Sequence, residues 1–308
     1  MIVLGFDTSN YTTSIASFDG VKVENRSRLL DVKMGELGLR QSDAVFAHVK
    51  RLPELARELF ASRMKDDIHA IGVSTRPRAV DGSYMPCFLA GMSVAETMAA
   101  ALGVPCYAFS HQQGHIAAAL WSAERMDLME KPHLAWHLSG GTTELLLVEP
   151  EHRNVRATVI GGSSDISAGQ IVDRTGKLLS LQFPSGKIID QLSAQVDKPE
   201  YFKVKTNRFT FSLSGLENKI KDYSEHHAPE ESAAYAMASV CDVIVRTTKD
   251  AVKQYPDLPI VFSGGVASNS MLRGRCSELD CIFAQPALST DNAAGIAVLT
   301  WLQEASLW

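Results

Sequence analysis

Two stretches half a chain apart, IVLGFDTSNYTTSIASFDG from residue 2 and HLAWHLSGGTTELLLVEPE from residue 133, share one plan. Each reads as a short apolar strand, a turn of small polar residues ending in Thr-Thr (Thr12-Thr13 and Thr142-Thr143), and a second strand. A hairpin repeated at that distance constrains the fold more than any other feature, because it predicts a duplicated αβ unit and therefore two similar lobes. The 308 residues are enough for two lobes with buried cores. No flexible linker or low-complexity run separates them, so the lobes are expected to pack closely around a cleft.

A third segment, PIVFSGGVASNSMLRGRC from residue 259, reads as a strand, a Ser-Gly-Gly turn and a helix. Between the hairpins, IHAIGVSTR is a buried strand, VPCYAFS is another, and VFAHVKRLPELARELFASRM and GMSVAETMAAALGV carry helical periodicity. DAVFAHVKRLPELARELF reads either as a partner-binding helix pair or as packing within a lobe. The region from 151 to 235 looks rich in turns and charge, with helices at 167–182, 186–196 and 214–224; an amphipathic helix follows at 231–254. LSTDNAAGIAVLTWLQEA begins as a loop and ends as a helix.

Composition narrows the class. Thirty Lys plus Arg against thirty-five Asp plus Glu give a net charge of −5, so there is no global basic field and any RNA contact needs a local patch or a partner. Neither a secretory leader nor a membrane span is evident, which makes the cytoplasm the expected compartment. The five cysteines, Cys87, Cys106, Cys241, Cys276 and Cys281, include no CxxC pair and are read as reduced thiols.

The chemistry-bearing residues begin with SHQQGHIAAAL at 110–120, where His111 and His115 stand four apart at the start of an apolar helix. On one helical face they suit two ligands of one metal ion; the alternative is a pair of partly buried core histidines. Asp291 lies beside a helix start, where a carboxylate serves either as an N-cap or as a third ligand. The turn at Ser263-Gly264-Gly265 has the form of a phosphate cradle, with Asn269 near the following helix start; a second turn at Ser139-Gly140-Gly141 would let two glycine turns, one from each lobe, face the ends of one nucleotide. Asp173 is placed to accept from a ribose hydroxyl, and Gly186 opens a helix where a side chain would block a ligand, unless these are a capped, solvated helix pair. Arg76 and Arg78 are either a phosphate contact or an exposed turn. His226-His227 is read as solvent-facing, and Trp301 and Trp308 as packing groups.

Taken in order, GFDTSNYTTS, HQQGH, HLSGGTTEL, DRTGKLL, FPSGKIID, FTFSLSGL, FSGGVASNSMLR and STDNAAGIA resemble the tRNA threonylcarbamoyladenosine transferase family, formerly called O-sialoglycoprotein endopeptidases. The resemblance covers nearly the whole chain. It implies an α/β, actin-like and sugar-kinase-like fold of two lobes: residues 1–108 joined by a C-terminal helix at about 290–308, and residues 109–289, with a nucleotide cleft between them. It also implies transfer of a threonylcarbamoyl group from threonylcarbamoyl-adenylate to the adenosine beside the anticodon of tRNA, in company with partner subunits. By motif, His111, His115 and Asp291 would bind one divalent metal, iron or zinc. His137, Leu138, Ser139, Gly140, Gly141, Asp173, Gly186, Asp190 and Asn269 would hold the adenylate. No catalytic residue is assigned beyond the metal site.

The chain also departs from the family pattern. A Cys and two acidic residues usual after the first TS are Asn10, Tyr11 and Thr12; a usual His after the hairpin SGG is Thr142; Gln170 and Arg174 replace Glu and Lys; and Arg76-Pro77-Arg78 replaces a Gly-Pro-Gly loop. These differences define the alternative, a catalytically impaired nucleotide- and metal-binding paralogue that scaffolds or regulates tRNA modification. A zincin protease is disfavoured because Gln112 stands where its general base belongs. A kinase is disfavoured because Asp7 has no evident second carboxylate.

Overall fold

The computed structural model describes residues 1–9, 11–31, 39–61 and 67–305, so Asn10 and Trp308 lie outside the described residues. The first hairpin forms where the alternating pattern places it: β1 (Ile2–Asp7) pairs antiparallel with β2 (Thr12–Phe18). β2 pairs with β3 (Val23–Leu29), while β1 pairs in parallel with β4 (Ile68–Arg76) and β4 with β5 (Cys106–Ser110). The sheet order is β3-β2-β1-β4-β5.

The helices α1 (Gln41–Phe60) and α2 (Phe88–Leu102) cover one face, where Leu52, Leu55 and Leu59 pack with Leu4, Phe6, Ile15 and Ile71. α1 is one helix, not a pair: Pro53 lies inside it without ending it.

The second hairpin, β6 (His133–Leu138) and β7 (Thr143–Glu151), anchors a seven-stranded sheet. β8 (Asn154–Ser163), β9 (Thr206–Asn207), β10 (Thr210–Phe211), β11 (Ile260–Ser263) and β12 (Cys281–Phe283) complete it in the order β12-β11-β6-β7-β8-β10-β9. β8 corrects the reading of 151–163 as turns: its half-exposed residues, punctuated by Gly161 and Gly162, hide a strand whose stability comes from pairing with β7. Its outer core is closed by α4 (Ala168–Leu178), α5 (Gly186–Ser193), α6 (Ser214–Ser224) and α7 (Pro229–Gln254), with Trp136, Phe211, Leu216, Val240 and Phe262 buried among them.

Two helices lie between the sheets. α3 (His111–Ser122) and α10 (Ala294–Glu304) share one buried cluster in which Ile116, Leu120, Ile296 and Leu299 meet Val3 and Ala70 of the first sheet and Ala135, Leu146 and Val261 of the second. They cross at contact distance because neither carries a side chain there: a Cβ on Gly295 would overlap the Gly114 carbonyl oxygen. This sandwich brings residue 111 and residue 291 into one neighbourhood.

The segment after Ser263 differs from a simple strand-to-helix cradle. Gly265–Ser268 is a 3-10 turn, and α8 (Ser270–Arg275) starts only after it, capped by Asn269, whose Oδ1 accepts the Leu272 amide at 3.0 Å. The short α9 (Pro286–Ser289) follows β12. No helix among the described residues is long and apolar enough to cross a membrane, and all five cysteines are free thiols.

Candidate metal centre

α3 starts at His111 because Ser110 and Gln113 form a capping box: the Ser110 hydroxyl accepts the Gln113 amide at 3.2 Å and the Gln113 side chain accepts the Ser110 amide at 2.9 Å. That fixes His111 and His115 on successive turns of one face. Their Nε2 atoms are 3.0 Å apart, and Asp291 Oδ1 lies 3.2 Å from His115 Nε2 and 3.5 Å from His111 Nε2. All three ligand atoms fall within 4.8 Å of one another, although His115 and Asp291 are 176 residues apart in sequence.

Asp291 does not cap α10, whose N-cap is Ala293. Asn292 accepts the Ala294 amide at 2.9 Å and donates to the Leu288 and Thr290 carbonyls at 3.0 and 2.7 Å. Sequence alone leaves Asp291 open between cap and ligand; in the structure its carboxylate faces the two imidazoles, not the helix start.

Asp7 was read from sequence only as an insufficient magnesium site. It is 1% exposed, and its Oδ2 accepts from His111 Nδ1 at 2.9 Å. Its Oδ1 accepts the Ser9 amide at 2.8 Å and the Ser9 hydroxyl. This bond turns the His111 Nε2 toward Asp291.

Burial alone would lower the His111 pKa, but Asp7 and Asp291 outweigh it and raise it to about 10. Burial and the His111 cation hold His115 below its ordinary value. Burial works against the Asp291 carboxylate, yet the two imidazoles keep its pKa well below the usual range.

His137, at the end of β6, joins the same neighbourhood. Its ring centroid is 4.6 Å from that of His115, it is 6% exposed, and its Nε2 is buried without a hydrogen-bond partner among the described residues. Burial, then His115 and His111, push its pKa well below the ordinary value. The side chain of Leu138 belongs to the core.

Ser139, Gly140 and Gly141 form the tight turn of the hairpin: the Ser139 amide donates to the Thr142 carbonyl at 2.8 Å and the Ser139 hydroxyl accepts the Thr142 amide at 3.1 Å. Ser167, the cap of α4, donates to the Gly140 carbonyl at 2.6 Å.

The two Ser-Gly-Gly turns do not come from two lobes. β6 and β11 are parallel neighbours with His137 opposite Ser263, so both turns sit at the same edge of one sheet, the carboxyl end. Gly264 has φ +90° there, and a Cβ would overlap the Leu138 carbonyl.

The remaining residues form two linked pairs. Asp173 accepts the Ser185 amide at 2.9 Å, just before Gly186 opens α5, and space around Gly186 is open. Burial raises the Asp173 pKa, though the Ser185 amide opposes it. Asp190 accepts from Asn269 Nδ2 at 2.7 Å and from the amide and hydroxyl of Ser270 at 3.0 and 2.8 Å.

From the first lobe, Tyr11 meets the Phe183 ring edge-on at 5.8 Å. Arg78, partly exposed in the bend after β4, clasps Glu144 of β7, to which Gln112 also donates at 3.2 Å. Neither Asp7 nor Glu144 was singled out as a partner from sequence, since both contacts join distant elements. Trp301 packs on Phe18 at 5.8 Å, and His227 is exposed, stacked on Tyr223.

Comparison with known proteins bears on the same features. The family profile described as tRNA N6-adenosine threonylcarbamoyltransferase matches residues 35–298. A tRNA N6-adenosine threonylcarbamoyltransferase of Geotalea uraniireducens is 35% identical over 276 residues, covering 80% of this chain and 78% of the relative. One of Phytoplasma australiense is 32% identical, covering 99% and 94%.

Among solved structures, HypF of T. kodakarensis superposes over 99% of this chain with a TM-score of 0.63 at 14% identity, and the chain spans 48% of HypF. The activator of the 2-hydroxyisocaproyl-CoA dehydratase from Clostridium difficile, solved with bound ADPNP, superposes over 100% of this chain and 97% of its own, with a TM-score of 0.55 at 13% identity. These likenesses show the fold: two α/β lobes of the actin-like and sugar-kinase-like type.

Proposed function

The chain belongs to the tRNA N6-adenosine threonylcarbamoyltransferase family, and on that premise we propose that it transfers the threonylcarbamoyl group of threonylcarbamoyl-adenylate to the N6 amine of the adenosine beside the anticodon. The observation that carries the reading is the convergence of His111, His115 and Asp291, with His115 and Asp291 176 residues apart in sequence. A scaffold has no need of such a cluster.

In this reading the three side chains hold one divalent ion, iron or zinc. Two imidazoles and a carboxylate are a donor set suited to either, and three protein ligands leave positions open. When bound, the ion supplies Lewis-acid polarisation of the acyl carbonyl. Asp7 holds the His111 ring in the orientation that faces Asp291.

The adenylate lies along the carboxyl edge of β6 and β11. His137, Leu138, Ser139, Gly140 and Gly141 offer main chain to it, and the space beside Gly140 admits close approach. Asp173 accepts from the ribose, Gly186 keeps the start of α5 open, and Asp190 fixes Asn269 at the far end. The tRNA amine bonds to the carbonyl carbon, the bond from that carbon to the phosphate oxygen breaks, AMP departs with the electron pair, and the amine proton passes to the departing phosphate or to water, without a covalent enzyme intermediate. The acceptor tRNA sets the compartment as the cytoplasm, and partner subunits complete the transfer complex.

The test is direct. The purified chain, its partner subunits, threonylcarbamoyl-adenylate and tRNA are incubated, and the tRNA is digested to nucleosides for mass spectrometry. Threonylcarbamoyladenosine is expected; unmodified adenosine alone overturns the proposal.

A further inference from the structure

On a chain with net charge −5, an RNA contact has to be a local concentration of cations. One stands where α7, the end of α8 and residues 201–206 meet. A cavity of about 340 Å³ there is lined by Asp242, Arg246, Lys249, Arg275 and Glu278, among others.

Its walls are tied together by the arginines. Arg246 bonds Asp242 at 2.9 Å and donates to the Val204 carbonyl at 2.6 Å, which lays the 201–206 segment along α7. Arg275 donates to the Ala238 carbonyl at 3.0 Å, and its guanidinium sits 6.0 Å from the ring of Tyr201. Tyr201 is 48% exposed.

Around this frame Lys203 and Lys205, flanking the buried Val204, and Lys249 are exposed. None of the three lysine side chains has a hydrogen bond or ion pair to a described residue. Arg246, Arg275 and Lys249 line the cavity, and the segment that Arg246 ties to α7 carries the exposed Lys203, Lys205 and Tyr201 beside it.

We infer that this face, framed by Arg246 and Arg275 with Lys203, Lys205, Lys249 and Tyr201, binds the phosphodiester backbone of RNA. Exposed aromatic rings set among cations are how proteins hold single-stranded nucleic acid: the cations follow the phosphates and the ring stacks on a base. Arg275 lies over the Tyr201 ring, and the exposed remainder of that ring offers a stacking surface that an acidic protein segment does not require.

The carboxylates agree with this use except at one point. Asp242 is committed to Arg246, whereas Glu278 faces the cavity and opposes an anion. The face also lies close to the cleft: α8 runs from the Asn269–Asp190 contact to Arg275, roughly 8 Å at helical rise. The inference rests on the transferase reading for the identity of the RNA as tRNA.

The experiment uses the full chain with its partner subunits and a fluorescently labelled tRNA, titrated over a salt series. Lys203→Ala/Lys205→Ala/Lys249→Ala is compared with wild type, with AMP binding and thermal unfolding as controls. About a tenfold to hundredfold loss of tRNA affinity is expected, with the slope of log K against log salt shallower by about 2, while AMP binding and melting stay unchanged. Glu278→Gln is expected to bind tRNA more tightly than wild type. Unchanged tRNA affinity and slope in the triple variant overturn the inference, as does loss of a partner subunit's binding in place of tRNA binding. Wild type that binds tRNA through these lysines but transfers nothing would overturn the transferase reading and leave the surface standing.

Discussion

Asp7 Oδ2 lies 2.9 Å from His111 Nδ1, a contact that joins the end of the first strand to the first residue of the helix between the lobes. It makes the opening hairpin part of the candidate metal centre. A histidine that binds a metal through one ring nitrogen commonly donates from the other to a carboxylate, which fixes its tautomer. Asp7→Asn keeps the shape and weakens that acceptor. Metal affinity, read by chelator competition, is predicted to fall about 10–100-fold, and the metal-free protein to melt lower because the buried His111 cation loses a partner; equal affinity would show that His111 needs no such support.

Metal loading is predicted to release protons. With its pKa raised to about 10, the His111 ring is protonated at neutral pH, and a ligand must present a lone pair. Affinity therefore rises with pH, up to about tenfold per unit below the His111 value if one proton is displaced. Calorimetry in buffers of different ionisation enthalpy, combined with a pH series, measures it. A pH-independent affinity with no proton release would contradict the assignment of His111 as ligand.

Gly295→Ala tests the crossing that brings the ligands together. The added methyl overlaps the Gly114 carbonyl, so α10 must shift away from α3. A loss of about 1–3 kcal/mol is expected in denaturant unfolding, together with weaker metal binding. Retained stability and affinity would mean that the helices have slack at this point.

Acid sensitivity is predicted at Asp165, beyond the metal centre. Partial burial raises its pKa, but bonds from the Ser212 hydroxyl, the Leu213 and Ile166 amides and Ser214 outweigh this and hold the carboxyl well below the usual range. A depressed folded pKa contributes stability that is present above the unfolded value of about 4 and is lost as pH falls through the lower folded one. Wild type should therefore melt above Asp165→Asn at pH 7, with the gap closing below about pH 4. A gap that is constant with pH would assign the loop's stability elsewhere.

The strands and helices with strong periodicity were legible in the sequence. IHAIGVSTR became β4 residue for residue, and 214–224 became α6. The duplicated hairpin announced two sheets, and the spacing of His111 and His115 announced a shared helical face. Three things were not legible, for physical reasons. β8 is half-exposed and draws its stability from a partner strand. The two Ser-Gly-Gly turns became sheet neighbours through parallel pairing of strands more than a hundred residues apart, which local pattern does not encode. The partners of Asp7 and Arg78 were set by tertiary packing alone.

The account turns on His111, His115 and Asp291 forming one metal site. Elemental mass spectrometry of the purified protein, wild type beside His111→Ala and Asp291→Ala and with folding checked by circular dichroism, tests it most directly. Near-stoichiometric iron or zinc in the wild type, lost in both variants, is the predicted result. Metal retained in either folded variant, or no affinity for iron or zinc in wild type dialysed against each ion, would contradict it and return the two histidines to a structural role.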